Sequence, residues 1–280
     1  MSIEQPDGYI TRHSLKPSKD VPQSVEYQGI TDAGVELAKE RAKDIAEIIE
    51  NAAPGTIIFQ SPVSPEVRTR STLRVYGDAL KAAFADREDV IVVPRSELSA
   101  SSKDVGFSGT LQRVVDRADG DPNAKVVIDL PLRLTEMMDK GWFQKDGKPT
   151  AYTNHLLEGG TSLFEAECKW FREEGKIDGE QVGPNPTGVA QNLLKALERL
   201  RTFAKKSFPD RPIIVGAVGH SFEIDALLAY LHGNGVVSEE TYRGLQSGIL
   251  NETEMVKIRL EDDGIVGEYR GMEMKADAIA

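Results

Sequence analysis

The feature that most constrains this chain is a rhythm. Short apolar runs, too short for helices, alternate with long amphipathic stretches. The runs are Gly8-Tyr9-Ile10-Thr11, Thr56-Ile57-Ile58-Phe59, Val90-Ile91-Val92-Val93 and Ile213-Ile214-Val215-Gly216-Ala217-Val218. Between them lie stretches with helical spacing. After Thr31, a good N-cap, Leu37, Ala38, Ala42, Ile45 and Ile49 form one apolar stripe. Ser64-Pro65-Glu66 combines three start signals and opens the next helix, with Ser64 as its cap. Thr187 starts a third helix running to about Lys206, and a fourth runs from His220 to about His232. Strand, helix, strand in this order predicts βα units and a mainly parallel sheet covered by helices on both faces.

Two regions depart from the rhythm. At the end of the chain, Glu254 to Leu260 and Ile265 to Tyr269 read as a final pair of strands. Residues 99–188 are irregular and rich in Gly and Pro, with one strand near 126–130 and one helix near 163–174 inside. Long irregular segments in compact domains tend to be functional, so this region is expected to be an inserted cap. The expectation is one three-layer α/β/α domain over residues 1–280, with a central, mostly parallel sheet and a cap at about 99–188.

Composition narrows the function classes. The 280 residues carry a formal net charge of −11, which argues against a nucleic-acid partner. A few local arginines can still reverse the potential in a cleft. One cysteine, Cys168, excludes an intrachain disulfide. Met1 to Gly8 is polar and does not read as a signal peptide, and no apolar stretch is long enough to span a bilayer. The expectation is a cytoplasmic protein without a membrane partner; an exposed strand edge leaves room for a homodimer.

The chemistry lies at the βα junctions. Open α/β sheets bind ligands beyond the carboxyl ends of their strands, where helix N-termini offer free N–H groups to a phosphate. Arg12 and His13 follow the first strand, Arg68 follows the second, and His220 follows the strand from Ile213. Only four histidines exist, and two of them occupy these junctions.

These residues sit in recognisable segments. Thr11-Arg12-His13-Ser14 is similar to the Arg-His-Gly signature of the histidine phosphatase superfamily, in its phosphoglycerate-mutase-like branch. Ile30-Thr31-Asp32-Ala33-Gly34 resembles that family's Leu-Thr-x-x-Gly helix start. Ser61-Pro62 with Arg68-Thr69-Arg70-Ser71-Thr72 resembles its Ser-Pro…Arg-Ala-x-Gln-Thr segment. Gly159-Gly160-Thr161-Ser162 is similar to a Gly-Gly-Glu-Ser stretch, and Gly219-His220-Ser221 to the second-histidine turn. The matches keep family order from about residue 8 to residue 260, and their spacing is more specific than any one of them.

The resemblance implies a phosphatase that hydrolyses a phosphomonoester through phosphohistidine on His13, needing no metal and no cofactor. Its partner would be a small phosphorylated molecule. Arg12, Arg68, His220 and the Ser14 hydroxyl would hold the phosphoryl oxygens. A carboxylic acid would protonate the leaving oxygen. In Val93-Pro94-Arg95-Ser96-Glu97 the acid would be Glu97; Ile128-Asp129-Leu130-Pro131-Leu132-Arg133-Leu134-Thr135-Glu136 offers Glu136 as the alternative. Two other functions stay open: a phosphomutase, which the lack of a Glu-Ser…Asn pattern after Ser14 disfavours, and a degenerate module that only binds a phospho-ligand or protein. Ser14 stands where the family usually has Gly. His232, before Gly233, reads as a helix C-terminal structural histidine, and His155 as a cap residue.

Overall fold

A computed structural model describes residues 5–94, 121–130, 134, 141–145, 148–245, 248–261 and 264–277. Its framework is an eight-stranded sheet. In chain order the strands are β1 (Gly8–Arg12), β2 (Ile57–Pro62), β3 (Val90–Val93), β4 (Lys125–Asp129), β9 (Ile213–Gly219), β10 (Met255–Glu261), β11 (Gly264–Tyr269) and β12 (Met272–Asp277). Across the sheet they lie in the order β12-β11-β10-β1-β9-β2-β4-β3. The five strands β1, β9, β2, β4 and β3 are parallel. The meander β10-β11-β12 joins β1 antiparallel.

Alternation along the parallel strands builds two cores. Tyr9, Ile58, Val127, Ile214 and Val218 face helices α1 (Asp32–Asn51) and α2 (Val67–Ala83). Ile10, Ile57, Phe59, Val126, Ile128, Val215 and Ala217 face the other way, toward α5 (Pro186–Ser207) and α6 (Ser221–His232). A strand apolar on both faces must lie between two layers, and these do. The architecture is therefore α/β/α with a mostly parallel sheet. One close approach in it requires a glycine: a side chain at Gly216 would run into the Tyr9 ring at 2.5 Å.

Between β4 and α5 lies a small unit. It holds two hairpins, β5 (Gln144–Lys145) with β6 (Lys148–Pro149) and β7 (Lys176–Ile177) with β8 (Glu180–Gln181). It also holds α3 (Ala151–Leu156) and α4 (Leu163–Glu173). Helix α4 packs on α7 (Glu239–Gly244), and Phe143 meets Phe222 of α6 edge to face at 4.8 Å.

The structure refines three expectations. The strand expected near 126–130 inside the irregular region is β4, which lies in the main sheet between β2 and the edge strand β3. A third C-terminal strand, β12, closes the meander; its alternation of charged and apolar residues is that of a half-covered edge strand. Finally, α2 is capped at Glu66 rather than Ser64, whose hydroxyl is used elsewhere. Among the described residues no helix is long and apolar enough to cross a membrane.

Candidate active site

The first strand delivers its histidine by continuing the sheet one residue further. The His13 N–H donates to the Gly219 carbonyl at 2.9 Å, so the ends of β1 and β9 stay in register. His13 and His220 thus emerge side by side, with ring centroids 5.1 Å apart and planes at 65°. Both are buried.

The loop after His13 is fixed to two helices. Ser14 N–H donates to Thr72 Oγ1 at 3.0 Å, and Thr72 sits one turn after Arg68 on α2. Ser14 Oγ donates to the Gly34 carbonyl at 2.6 Å. Gly34 is the third residue of α1, which Thr31 caps through the Gly34 N–H at 3.0 Å. A side chain at Gly34 would strike the Leu15 carbonyl at 2.9 Å, so the close approach of loop to helix requires glycine there. The Ser14 hydroxyl, expected at the phosphate, is buried and donates to α1.

The His13 ring has a defined polarity. Nδ1 lies 2.7 Å from the Ser14 carbonyl, which only accepts, so Nδ1 carries the hydrogen and Nε2 keeps its lone pair. Burial is the main force that lowers the His13 pKa to about 3, and the positive charges of Arg68, Arg12 and Lys16 add to it. The imidazole is neutral across the physiological range, as a nitrogen nucleophile must be.

His220 is held from two sides. Arg68 donates to its Nδ1, from Nε at 3.4 Å and Nη2 at 3.3 Å. Its Nε2 lies 2.7 Å from Ser64 Oγ, the hydroxyl that does not cap α2. Burial, then Arg68, His13 and Arg12, depress its pKa well below the usual value. The backbone N–H of His220 donates to Glu223 Oε2 at 3.4 Å, one half of a capping box on α6. The ring of Phe222 stacks on His220 at 6.1 Å and 11°.

Arg12 comes from the far side. Its Nη2 pairs with Glu252 at 3.0 Å, and Nη1 donates to the Leu250 carbonyl. Its Nε–H is buried and meets no acceptor among the described residues. A buried donor without a partner costs about 1–3 kcal/mol, which a ligand oxygen would recover.

Four residues named from sequence, Arg12, His13, Arg68 and His220, thus converge beyond the carboxyl ends of β1, β9 and β2. Glu97 and Glu136 lie outside the described residues. His155 pairs with Glu173 at 2.9 Å within the small unit. Sequence reasoning missed Ser64, Thr72 and the loop 250–254. Thr72 was legible, being on the same α2 face as Arg68. Ser64 was masked by its strong resemblance to a helix cap. Loop 250–254 carries no motif and reaches the site only through the antiparallel pairing of β10 with β1. Among the described residues no group of three or more His, Cys, Asp and Glu is arranged to hold a metal.

No protein-family model matches the chain, and no curated protein matches it significantly. Similar solved structures include a mycobacterial hydrolase, 14% identical, covering 97% of this chain and 91% of that one with a TM-score of 0.41. A mycobacterial glucosyl-3-phosphoglycerate phosphatase in complex with VO3 is 13% identical, covering 97% of this chain and 98% of that one with a TM-score of 0.43. Phosphoglycerate mutase from Bacillus anthracis is 11% identical, covering 97% and 91% with a TM-score of 0.35.

Proposed function

We propose that the chain is a histidine phosphatase of the phosphoglycerate-mutase-like superfamily, hydrolysing a small phosphomonoester through phosphohistidine on His13. The observation that carries this reading is the fixed polarity of the His13 ring. A buried neutral imidazole with Nδ1–H donating to the Ser14 carbonyl presents Nε2 as a nucleophile, with Arg68 and His220 beside it.

In the first half-reaction Nε2 attacks phosphorus as the ester P–O bond breaks, and the electron pair leaves on the ester oxygen. A carboxylic acid protonates that oxygen. In the second, water attacks phosphorus, the carboxylate takes its proton, and the P–N bond returns its pair to Nε2. Positioning and charge dominate such transfers. Arg68 and the unpartnered Nε–H of Arg12 supply donors to the phosphoryl oxygens. His220 is neutral beside two arginines; a phosphoryl dianion reverses that field and favours a second proton on its ring.

The acid in this reading is Glu97, with Glu136 as the alternative.

The test is turnover of p-nitrophenyl phosphate with EDTA present, comparing the native chain with His13→Ala. Activity that survives EDTA and disappears in the variant, with phosphate trapped on His13 in acid-quenched native protein, is the expected result. Undiminished activity in the variant would end this reading.

A further inference from the structure

One aromatic ring beside the histidines takes no part in the phosphoryl chemistry. Phe222 lies in the first turn of α6, two residues after His220, and is only half-buried. Every residue from Glu223 to Leu231 after it is buried. The helix thus sinks into the core and leaves Phe222 at its site end. The Phe222 ring lies nearly parallel to that of His220, at 11° with centroids 6.1 Å apart. His13 meets the same His220 ring at 5.1 Å. Phe222 is therefore one ring removed from the nucleophile.

The small unit backs this ring. Phe143 meets Phe222 at 4.8 Å and 63°, and Trp170 of α4 meets it at 5.9 Å and 73°. Trp170 is fully buried, and its Nε1–H donates to the Pro184 carbonyl at 2.7 Å. Phe143 is anchored through its backbone. Its carbonyl accepts the Thr150 N–H at 3.1 Å and the Thr153 hydroxyl at 2.5 Å, both around the start of α3. The Trp142 carbonyl beside it accepts the Thr150 hydroxyl at 2.6 Å. Three rings therefore fix the orientation of Phe222, yet part of its surface stays open. An aromatic surface favours another flat ring in an offset or edgewise arrangement. It offers no hydrogen bond, so a hydroxyl-rich group set against it would leave its hydroxyls without partners.

We propose that Phe222, backed by Phe143 and Trp170, is a specificity-determining wall of the site, and that the preferred substrates are phosphomonoesters whose leaving group carries a flat aromatic ring. The inference rests on the phosphatase reading above and names the substrate class for it. It gives the small unit a role at the site, because Phe143 and Trp170 hold the wall in place.

The experiment uses the full chain and two phosphonates with no ester bond to break. Phenylphosphonate carries the ring, and methylphosphonate does not. As competitive inhibitors of p-nitrophenyl phosphate turnover, phenylphosphonate should have a Ki about tenfold below that of methylphosphonate, the size of one well-placed aromatic contact. In Phe222→Ala the two Ki values should come within about twofold of each other, whereas Phe222→Tyr keeps a ring and should keep the preference. Equal Ki values in the native chain would overturn the wall. So would a Phe222→Ala protein that weakens both inhibitors by the same factor, which is what lost support of His220 alone would do. The native comparison needs no variant, so it decides the matter even if Phe222→Ala fails to fold. Absence of His13-dependent turnover in the native chain would instead overturn the phosphatase reading. Calorimetric titration of the native chain with the two phosphonates would then still report whether the wall selects the ring.

Discussion

The two halves of the sheet do different work. In the parallel half, β1, β9, β2, β4 and β3 are apolar on both faces. Three of these strands, β1, β9 and β2, end on the site, each followed by a histidine or an arginine. In the meander β10-β11-β12, one face joins the core through Ile258, Ile265, Met274 and Ala276, with β11 and β12 against α6. Lys257, Arg259, Glu273 and Lys275 alternate with them. No residue of these strands joins the site cluster; the meander serves it only through loop 250–254, which grips Arg12. The difference follows from direction. Parallel strands all present their carboxyl ends, and the following helix N-termini, at one edge. An antiparallel meander sends alternate ends to opposite edges and cannot concentrate donors.

Substitutions in the two halves should therefore separate. His13→Ala should lower kcat/KM by at least about 10³-fold with the fold intact, since nothing else supplies the nucleophile. Arg68→Ala should cost about 10²-fold, the usual range for a lost charge-stabilising donor. Ile258→Ala, in the meander, should cost about 2–5 kcal/mol of stability by urea unfolding. It should leave turnover per folded molecule unchanged. An Ile258→Ala protein that folds yet loses as much activity as Arg68→Ala would break the division between the halves.

Acid stability sharpens the same contrast. His13 titrates near 3 in the folded chain and near 6.5 when unfolded, so below pH 6.5 the unfolded state takes up more protons. The stability this histidine contributes is present above pH 6.5 and is lost as pH falls toward 3. Native Tm should drop more steeply between pH 6.5 and 4 than that of His13→Gln. Equal slopes would mean that the His13 ring is not held neutral.

Much of this was legible in the sequence because it is local. The strand and helix order follows from periodicity, Thr31 caps α1 as its position predicts, and Arg12, His13, Arg68 and His220 are set by strand ends. What was not legible is long-range. The contact between Leu250 and Arg12 spans most of the chain, and no local pattern records it. Ser64 illustrates a double use: its hydroxyl accepts the Glu66 N–H at 3.3 Å, as a helix-start serine can, and also meets the buried ring nitrogen of His220, a contact no local pattern records. The strand near 126–130 was legible but its place in the sheet was not, because a short apolar run inside an irregular region looks the same whether it pairs in the core or at the rim.

Ser14 gives the smallest expected effect on activity. In the resemblance it looks like a defect, a side chain added where the phosphate approaches. In the structure its hydroxyl points to the Gly34 carbonyl, and the backbone N–H donates to Thr72, so neither group is offered to the ligand. Removing the hydroxyl takes away one buried hydrogen bond between the loop after His13 and α1, worth about 1 kcal/mol. The Gly34 carbonyl is also turned into the helix, so the loss should not grow beyond that. Ser14→Ala should thus unfold about 1 kcal/mol more easily while kcat/KM stays within about twofold of native. The measurement is urea unfolding and steady-state turnover on the same preparation. A large fall in kcat/KM with unchanged stability would return the Ser14 hydroxyl to the phosphate and make this position part of the parallel half's chemistry.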